Sequence, residues 1–154
     1  MRIVVQKVHK CKLYVEGKLK SEIGNGLLVF VGVDKTDDIA CTEYLARKVA
    51  QMRLFKDEND KLNKSVLDLN GDVMVVSNFT LMAEIASGTR PSFSNGADFE
   101  KANELYLNLA NEFSKNGIKN VQTGQFRSHM HLETVLDGPF TIVMERKSKN
   151  EQTR

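Results

Sequence analysis

Hydrophobic and polar positions divide this chain into alternating, continuous and helical stretches. From Ile3, IVVQKVHKCKLYV is apolar at first and then alternates, which is the pattern of a strand with one covered face. A turn at Glu16-Gly17 leads into a second strand. Residues 27–33, LLVFVGV, form an unbroken apolar run beside Gly26, which suits a strand covered on both faces. Between Thr36 and Arg53, apolar residues at Ile39, Tyr44, Leu45, Val49 and Met52 fall near helical spacing, with Asp37 and Asp38 at the N-terminal end. KDENDKLNKS reads as a polar connector, and GDVMVVSNFT as the next strand. ASGTRPSFSNGA, rich in Gly, Ser and Pro, reads as a loop of the kind that lines sites. Asp98–Asn116 repeats Phe99, Ala102, Leu105, Tyr106, Leu109 and Phe113 at intervals of three and four, with Gly117 as the stop. NVQTGQF, HMHLETVL and PFTIVMER supply three further strands. Six or seven strands and two helices make a mixed α/β (α+β) domain over residues 1–146, followed by a polar tail, 147–154.

Composition narrows the classes of function. A length of 154 residues suits one domain with a core of its own. The net charge of +2 excludes a protein that coats nucleic acid by charge alone, though it permits a local basic patch. Cys11 and Cys41 form neither a CxxC nor a metal-ligand pattern, and two such thiols fit a reduced, cytoplasmic protein. No secretory signal is expected from MRIVVQKVHK, and no apolar run approaches membrane-spanning length. Phosphate-loop, HExxH and GxSxG motifs are all missing. His129 and His131 stand two apart on a strand without an obvious third ligand, and His9 is isolated, so no metal and no cofactor are expected. An enzyme built this way works by positioning and backbone polarity on a substrate that is already reactive, such as an activated ester.

Two stretches carry candidate chemistry. In VVSNFT, a core strand ends in Ser77, Asn78, Phe79 and Thr80. At period two, Ser77 and Phe79 share one face, and Asn78 and Thr80 the other. The polar groups either cap the strand end or, with freed backbone N–H groups, hold a carbonyl oxygen as it gains negative charge. In LDGPFT, Gly138-Pro139 interrupts two apolar strands. It is either a tight hairpin turn or a peptide whose carbonyls are aimed at a target.

Read together, VVQKV, GLLVFVGV, RLFKDENDKLNKSV, VVSNFTLMA, GTRPSF, VQTGQF and DGPFTI resemble the D-aminoacyl-tRNA deacylase (D-tyrosyl-tRNA deacylase) family over residues 1 to 146. The resemblance implies a homodimer of β-rich subunits, each a barrel-like sheet with two main helices. It implies hydrolysis of the ester of D-aminoacyl-tRNA, and of glycyl-tRNA, with L-aminoacyl esters excluded. Ser77, Asn78, Phe79 and Thr80 would form the catalytic segment. Gly138 and Pro139, joined by a cis peptide, would reach into the other subunit's pocket, with Lys7 supporting that turn. Phe126 and Met130 would lie by the terminal adenosine of tRNA, or simply pack in the core, and Arg90 would contact phosphate. Four positions depart from the usual pattern: Asn78 stands for Gln, Lys7 for Arg, Arg127-Ser128 for a small pair, and Leu136 for Asn. These departures motivate an alternative, a nucleic-acid-binding accessory protein on the same scaffold. A general small-ester hydrolase is a third reading.

Overall fold

The computed structural model describes residues 1–149. Its spine is β1 (Arg2–Val15), which turns through Glu16 and Gly17 into β2 (Lys18–Ile23). Both turn residues have positive φ, 51° and 75°, matching the twist of a two-residue hairpin. β3 (Gly26–Gly32) pairs antiparallel with the first half of β1, from Arg2↔Gly32 to Val8↔Gly26. β2 takes over the same edge from Cys11 onward. The other edge of β1 is occupied along its length by β8 (Met130–Glu145). The expected strands HMHLETVL and PFTIVMER are therefore one strand. β1, at 14 residues, is long enough to pair with both halves.

β6 (Asp72–Ser77) lies parallel to β3, and β7 (Val121–Thr123) parallel to β6. Two crossovers make these connections, one through α1 (Ile39–Gln51) and one through α2 (Phe99–Lys115). The Ser21 hydroxyl of β2 donates to the Thr123 carbonyl of β7, so the two ends of the sheet meet and the sheet is nearly a barrel. The connector KDENDKLNKS holds a short hairpin that its polarity concealed, β4 (Phe55–Lys56) with β5 (Leu62–Lys64).

The continuous apolar runs are now explained. Leu27, Val29 and Val31 of β3, with Val73 and Val75 of β6, pack against both helices. Their alternate neighbours Leu28, Met74 and Val76 join Val8, Cys11, Leu13 and Ile23 inside the barrel. Each of these strands is wet on neither face, so nothing in it needs to be polar.

Helix ends follow their caps. α1 starts three residues later than expected, because Asp38 is its N-cap and accepts from the Cys41 amide at 3.1 Å. Asp37 serves elsewhere: it is buried, pairs with the Met1 amino group and accepts from the Asp34 amide at 2.7 Å. Burial holds its carboxyl above the usual range against the pull of that ammonium. α2 ends as expected at Gly117, whose φ of 101° lets the Ile118 amide reach back to the Phe113 carbonyl at 3.2 Å. Cys11 and Cys41 are free and buried, and burial pushes both thiols up. Among the described residues no helix is long and apolar enough to cross a membrane. Of the polar tail, residues 150–154 lie outside the described residues.

Candidate active site and the adjoining cleft

β6 ends where its partner ends. Val31↔Ser77 is the last pair with β3, and the Asn78 amide donates to the Val31 carbonyl at 2.8 Å. The chain then folds into a 3₁₀ turn, Phe79–Met82. Gly32 makes room for it: a Cβ there would stand 2.9 Å from both Leu81 Cβ and Met82 Sδ. The period-two pattern accordingly stops at Asn78, and Phe79 and Thr80 do not alternate across a strand. The turn has a chemical consequence. The first amides of a helix have no intrahelical acceptor. Asn78, in the N-cap position, makes no side-chain bond to them. Its Oδ1 accepts instead from the Thr80 hydroxyl. Among the described residues, the backbone N–H groups of Phe79 and Thr80 thus have no acceptor of their own, beside a bonded amide–hydroxyl pair.

Ser77, Asn78 and Phe79 open onto a cleft of about 750 Å³. Phe126 and Met130 line the same cleft. Phe126 stacks on Tyr106, centroids 6.1 Å apart, while the Tyr106 hydroxyl donates to the Gly124 carbonyl at 3.3 Å. Met130 Sδ packs so closely on Gly124 that a Cβ there would come within 2.6 Å. Both side chains are half-buried, with one side in the core and the other on the cleft.

Gly138-Pro139 sits apart, on β8. Gln6 pairs with Thr141 and Val8 with Leu136, so Asp137–Phe140 bulge out opposite Lys7 alone. The chain continues in the same direction beyond the bulge and makes no hairpin. The Gly138–Pro139 peptide is cis, and Gly138 has φ 146°, where a Cβ would meet the Phe140 amide nitrogen at 2.3 Å. Lys7 lies beneath the bulge. Its ammonium is 3.3 Å from Asp137 Oδ2 and faces the rings of Phe55 and Phe140 at 5.0 and 5.9 Å. His9 approaches the same carboxylate at 3.6 Å.

A family model described as D-Tyr-tRNA(Tyr) deacylase matches residues 4–145. A D-aminoacyl-tRNA deacylase of Thermotoga petrophila is 48% identical over 145 residues, covering 94% of this chain and 97% of that protein. One from Dictyoglomus turgidum is 41% identical over 154 residues, covering 100% and 98%. The chain belongs to the D-Tyr-tRNA(Tyr) deacylase family.

The fold agrees. The solved structure of the c-Myc DNA Unwinding Element Binding Protein superposes with a TM-score of 0.90 at 31% identity, covering 96% of this chain and 100% of that one. A probable eukaryotic D-amino acid tRNA deacylase superposes at 0.80 with 15% identity, covering 93% and 97%, and speaks for the fold alone. The resemblance read from the sequence, the mixed α/β barrel-like architecture and the expectation of an enzyme of the deacylase kind stand with these findings.

The residues expected at the site fall into three places. Ser77, Asn78, Phe79, Phe126 and Met130 share the cleft, with Thr80 bonded to Asn78 at its end. Lys7, Gly138 and Pro139 meet at the β8 bulge, and neither Gly138 nor Pro139 lines the cleft of its own chain. Arg90 is exposed on a loop tied at its base by Glu84 and Ser92, whose amides and carbonyls bond at 2.8 and 2.9 Å, and it too lies outside the cleft. His129 and His131 border a shallow groove beside Tyr14. Among the described residues no three His, Cys, Asp or Glu side chains are grouped to hold a metal.

Two aromatic residues of the cleft, Phe93 and Phe99, went unassigned to the site. Phe79 and Phe93 meet edge to face, centroids 5.0 Å apart, and Phe99 is exposed in the cleft rather than buried along α2. The Arg127 guanidinium lies 3.9 Å over the Phe99 ring. The available signal was the position of Phe99 directly after the Asp98 cap. A residue in the first helical turn has less of the helix packing around it.

Proposed function

We propose that this chain hydrolyses the ester linking a D-aminoacyl group to tRNA, releasing free D-amino acid and tRNA. The supporting observation is the set of uncapped amides at Phe79 and Thr80, at the end of a cleft lined by aromatic side chains. Water adds to the ester carbonyl, whose oxygen gains negative charge and is held by those N–H groups. The ester oxygen leaves on the terminal ribose with a proton from the neighbouring ribose hydroxyl, which takes the attacking water's proton in its place, so both ribose oxygens end as hydroxyls. The Thr80 hydroxyl, its proton committed to Asn78, keeps lone pairs that orient the attacking water. No strong base is needed, because the substrate is an activated ester. Phe126 and Met130 pack on the terminal adenine, and Arg90 meets phosphate nearer the body of the tRNA.

Chirality is read by a second copy of the chain. β8 is an edge strand: among the described residues it pairs with β1 only, and it exposes Val135, Leu136 and Val143. A homodimer formed through this side brings the Gly138-Pro139 bulge into the partner's cleft. Its carbonyls face the α-ammonium, and its backbone fills the space an L side chain would need. D-aminoacyl and glycyl esters pass, because a backbone wall reads where a side chain points and not what it is. The work is done in the cytoplasm, where charged tRNA is found.

A second reading is a nucleic-acid-binding accessory protein without hydrolysis, favoured by the name of one solved relative, the c-Myc DNA Unwinding Element Binding Protein. Incubation with D-Tyr-tRNA, L-Tyr-tRNA and a free D-Tyr ester separates the two. Release from D-Tyr-tRNA alone supports the deacylase. Binding of tRNA or DNA with no release from any substrate rejects it for the accessory protein. Equal cleavage of the free ester means a general esterase.

A further inference from the structure

We propose that Arg127, stacked on Phe99 at the cleft, is a phosphate-binding residue for the 3′-terminal nucleotides of tRNA. This rests on the reading of the cleft as the site for the end of aminoacyl-tRNA.

Three observations converge on it. First, the cleft lining holds one Lys or Arg, Arg127, and no Asp or Glu. A single cation among apolar walls has its field little screened by neighbouring charge. Second, the guanidinium is set against a ring and, among the described residues, its donors have no other partner. It lies 3.9 Å over the Phe99 ring, and among the described residues Arg127 has no hydrogen bond or ion pair. A contact with a ring face uses none of the N–H donors, so the fork that matches two phosphate oxygens is left for an anion. Third, the walls suit the rest of a nucleotide. Phe79, Phe93 and Phe99 are all exposed, and such rings offer stacking faces to bases.

The backbone adds direction. Arg127 has φ 60°, uncommon for a residue with a side chain. It follows Phe126, which is anchored on Tyr106, and precedes Ser128, whose hydroxyl accepts from the Gln125 side-chain amide at 2.9 Å. The guanidinium therefore projects from a tied turn and is set on a ring, which lowers the entropy lost when it takes an anion. Its target is the phosphodiester beside the terminal adenosine, the anion closest to an ester held at Phe79 and Thr80.

An RNA hairpin ending in single-stranded CCA, carrying no aminoacyl group, is the probe, titrated against the whole protein over a range of salt. Arg127→Ala is expected to weaken binding about tenfold and to reduce the slope of log K against log salt by about 0.7. Arg127→Lys recovers the slope but only part of the affinity, since it keeps the charge without the fork. Phe99→Leu gives an intermediate loss. On a hairpin lacking the last two nucleotides, Arg127→Ala and the parent chain bind alike. With D-Tyr-tRNA, Arg127→Ala raises KM and leaves kcat unchanged. Unchanged affinity and slope in Arg127→Ala overturn the proposal. Tighter binding also overturns it, by showing that the stack closes the cleft. The hairpin carries no ester, so a parent chain that fails to hydrolyse D-Tyr-tRNA defeats the deacylase reading while the binding comparison still decides the role of Arg127.

Discussion

The two halves of the proposed site are built on opposite principles. Ser77–Thr80 ends a strand buried on both faces, and the turn that follows is seated on Gly32. Gly138-Pro139 interrupts an edge strand, exposed, with one side chain, Lys7, beneath it in the register gap. The first half gains rigidity from close packing. The second gains it from backbone restriction, since proline sets one φ and Gly138 holds a φ that other residues avoid. Groups that stabilise charge belong on the packed half. A wall that must enter another pocket belongs on the exposed one.

The sharpest way to break this contrast is to remove an amide from the packed half without unfolding it. Proline is well tolerated at the first position of a helix, where the N–H is unpaired. Phe79→Pro deletes that donor and Phe79→Ala keeps it while removing the same ring. The expected difference in kcat for D-Tyr-tRNA is about 10²–10³-fold. Equal rates for the two variants would remove the Phe79 amide from the mechanism.

On the exposed half, Pro139→Ala is expected to lower the ratio of D-Tyr-tRNA to L-Tyr-tRNA hydrolysis about tenfold or more, roughly 1.4 kcal/mol, with tRNA binding little changed. An unaltered ratio rejects the wall. Lys7→Ala removes the ion pair to Asp137 and the contacts with Phe55 and Phe140. A loss of about 1 kcal/mol, or roughly 2–4 °C in Tm, is expected, with Lys7→Arg near the parent value. A Tm unchanged by Lys7→Ala would show that the bulge stands without it.

The smallest effect concerns Asn78. Asn78→Ala frees the Thr80 hydroxyl and is expected to slow turnover about three- to tenfold, within what one neutral hydrogen bond contributes. Asn78→Gln, which restores the longer amide, should change kcat by less than about threefold. A larger gain would mean that the shorter side chain misses a contact the longer one makes.

The legible parts of the molecule were those with local rules. The hairpin at Glu16-Gly17, the two-faced strands and the Asp98 and Gly117 helix ends all follow from patterns within a few residues. The cleft was legible in part. Ser77–Phe79, Phe126 and Met130 stood out through motif-like blocks, and they do share one cavity. Phe93 and Phe99 did not stand out, because an exposed aromatic ring in a loop or first helical turn has the same sequence signal as a packed one, and Arg127 stood out only as a departure from the usual pattern. β4 and β5 were hidden because two- and three-residue strands have too few positions to show alternation.

By itself, the sequence determined which segments could be buried and where the backbone needed glycine, because those requirements act within a turn or a strand pair. Only the tertiary structure decided that β8 is one strand, since that depends on β1 being long enough to pair with both halves. It also decided that the chain turns after Asn78 and leaves two amides uncapped, and that Arg127 lies on Phe99. Arg127 and Phe99 are 28 residues apart, and their meeting is set by how β6, α2 and β7 pack, which no local pattern records.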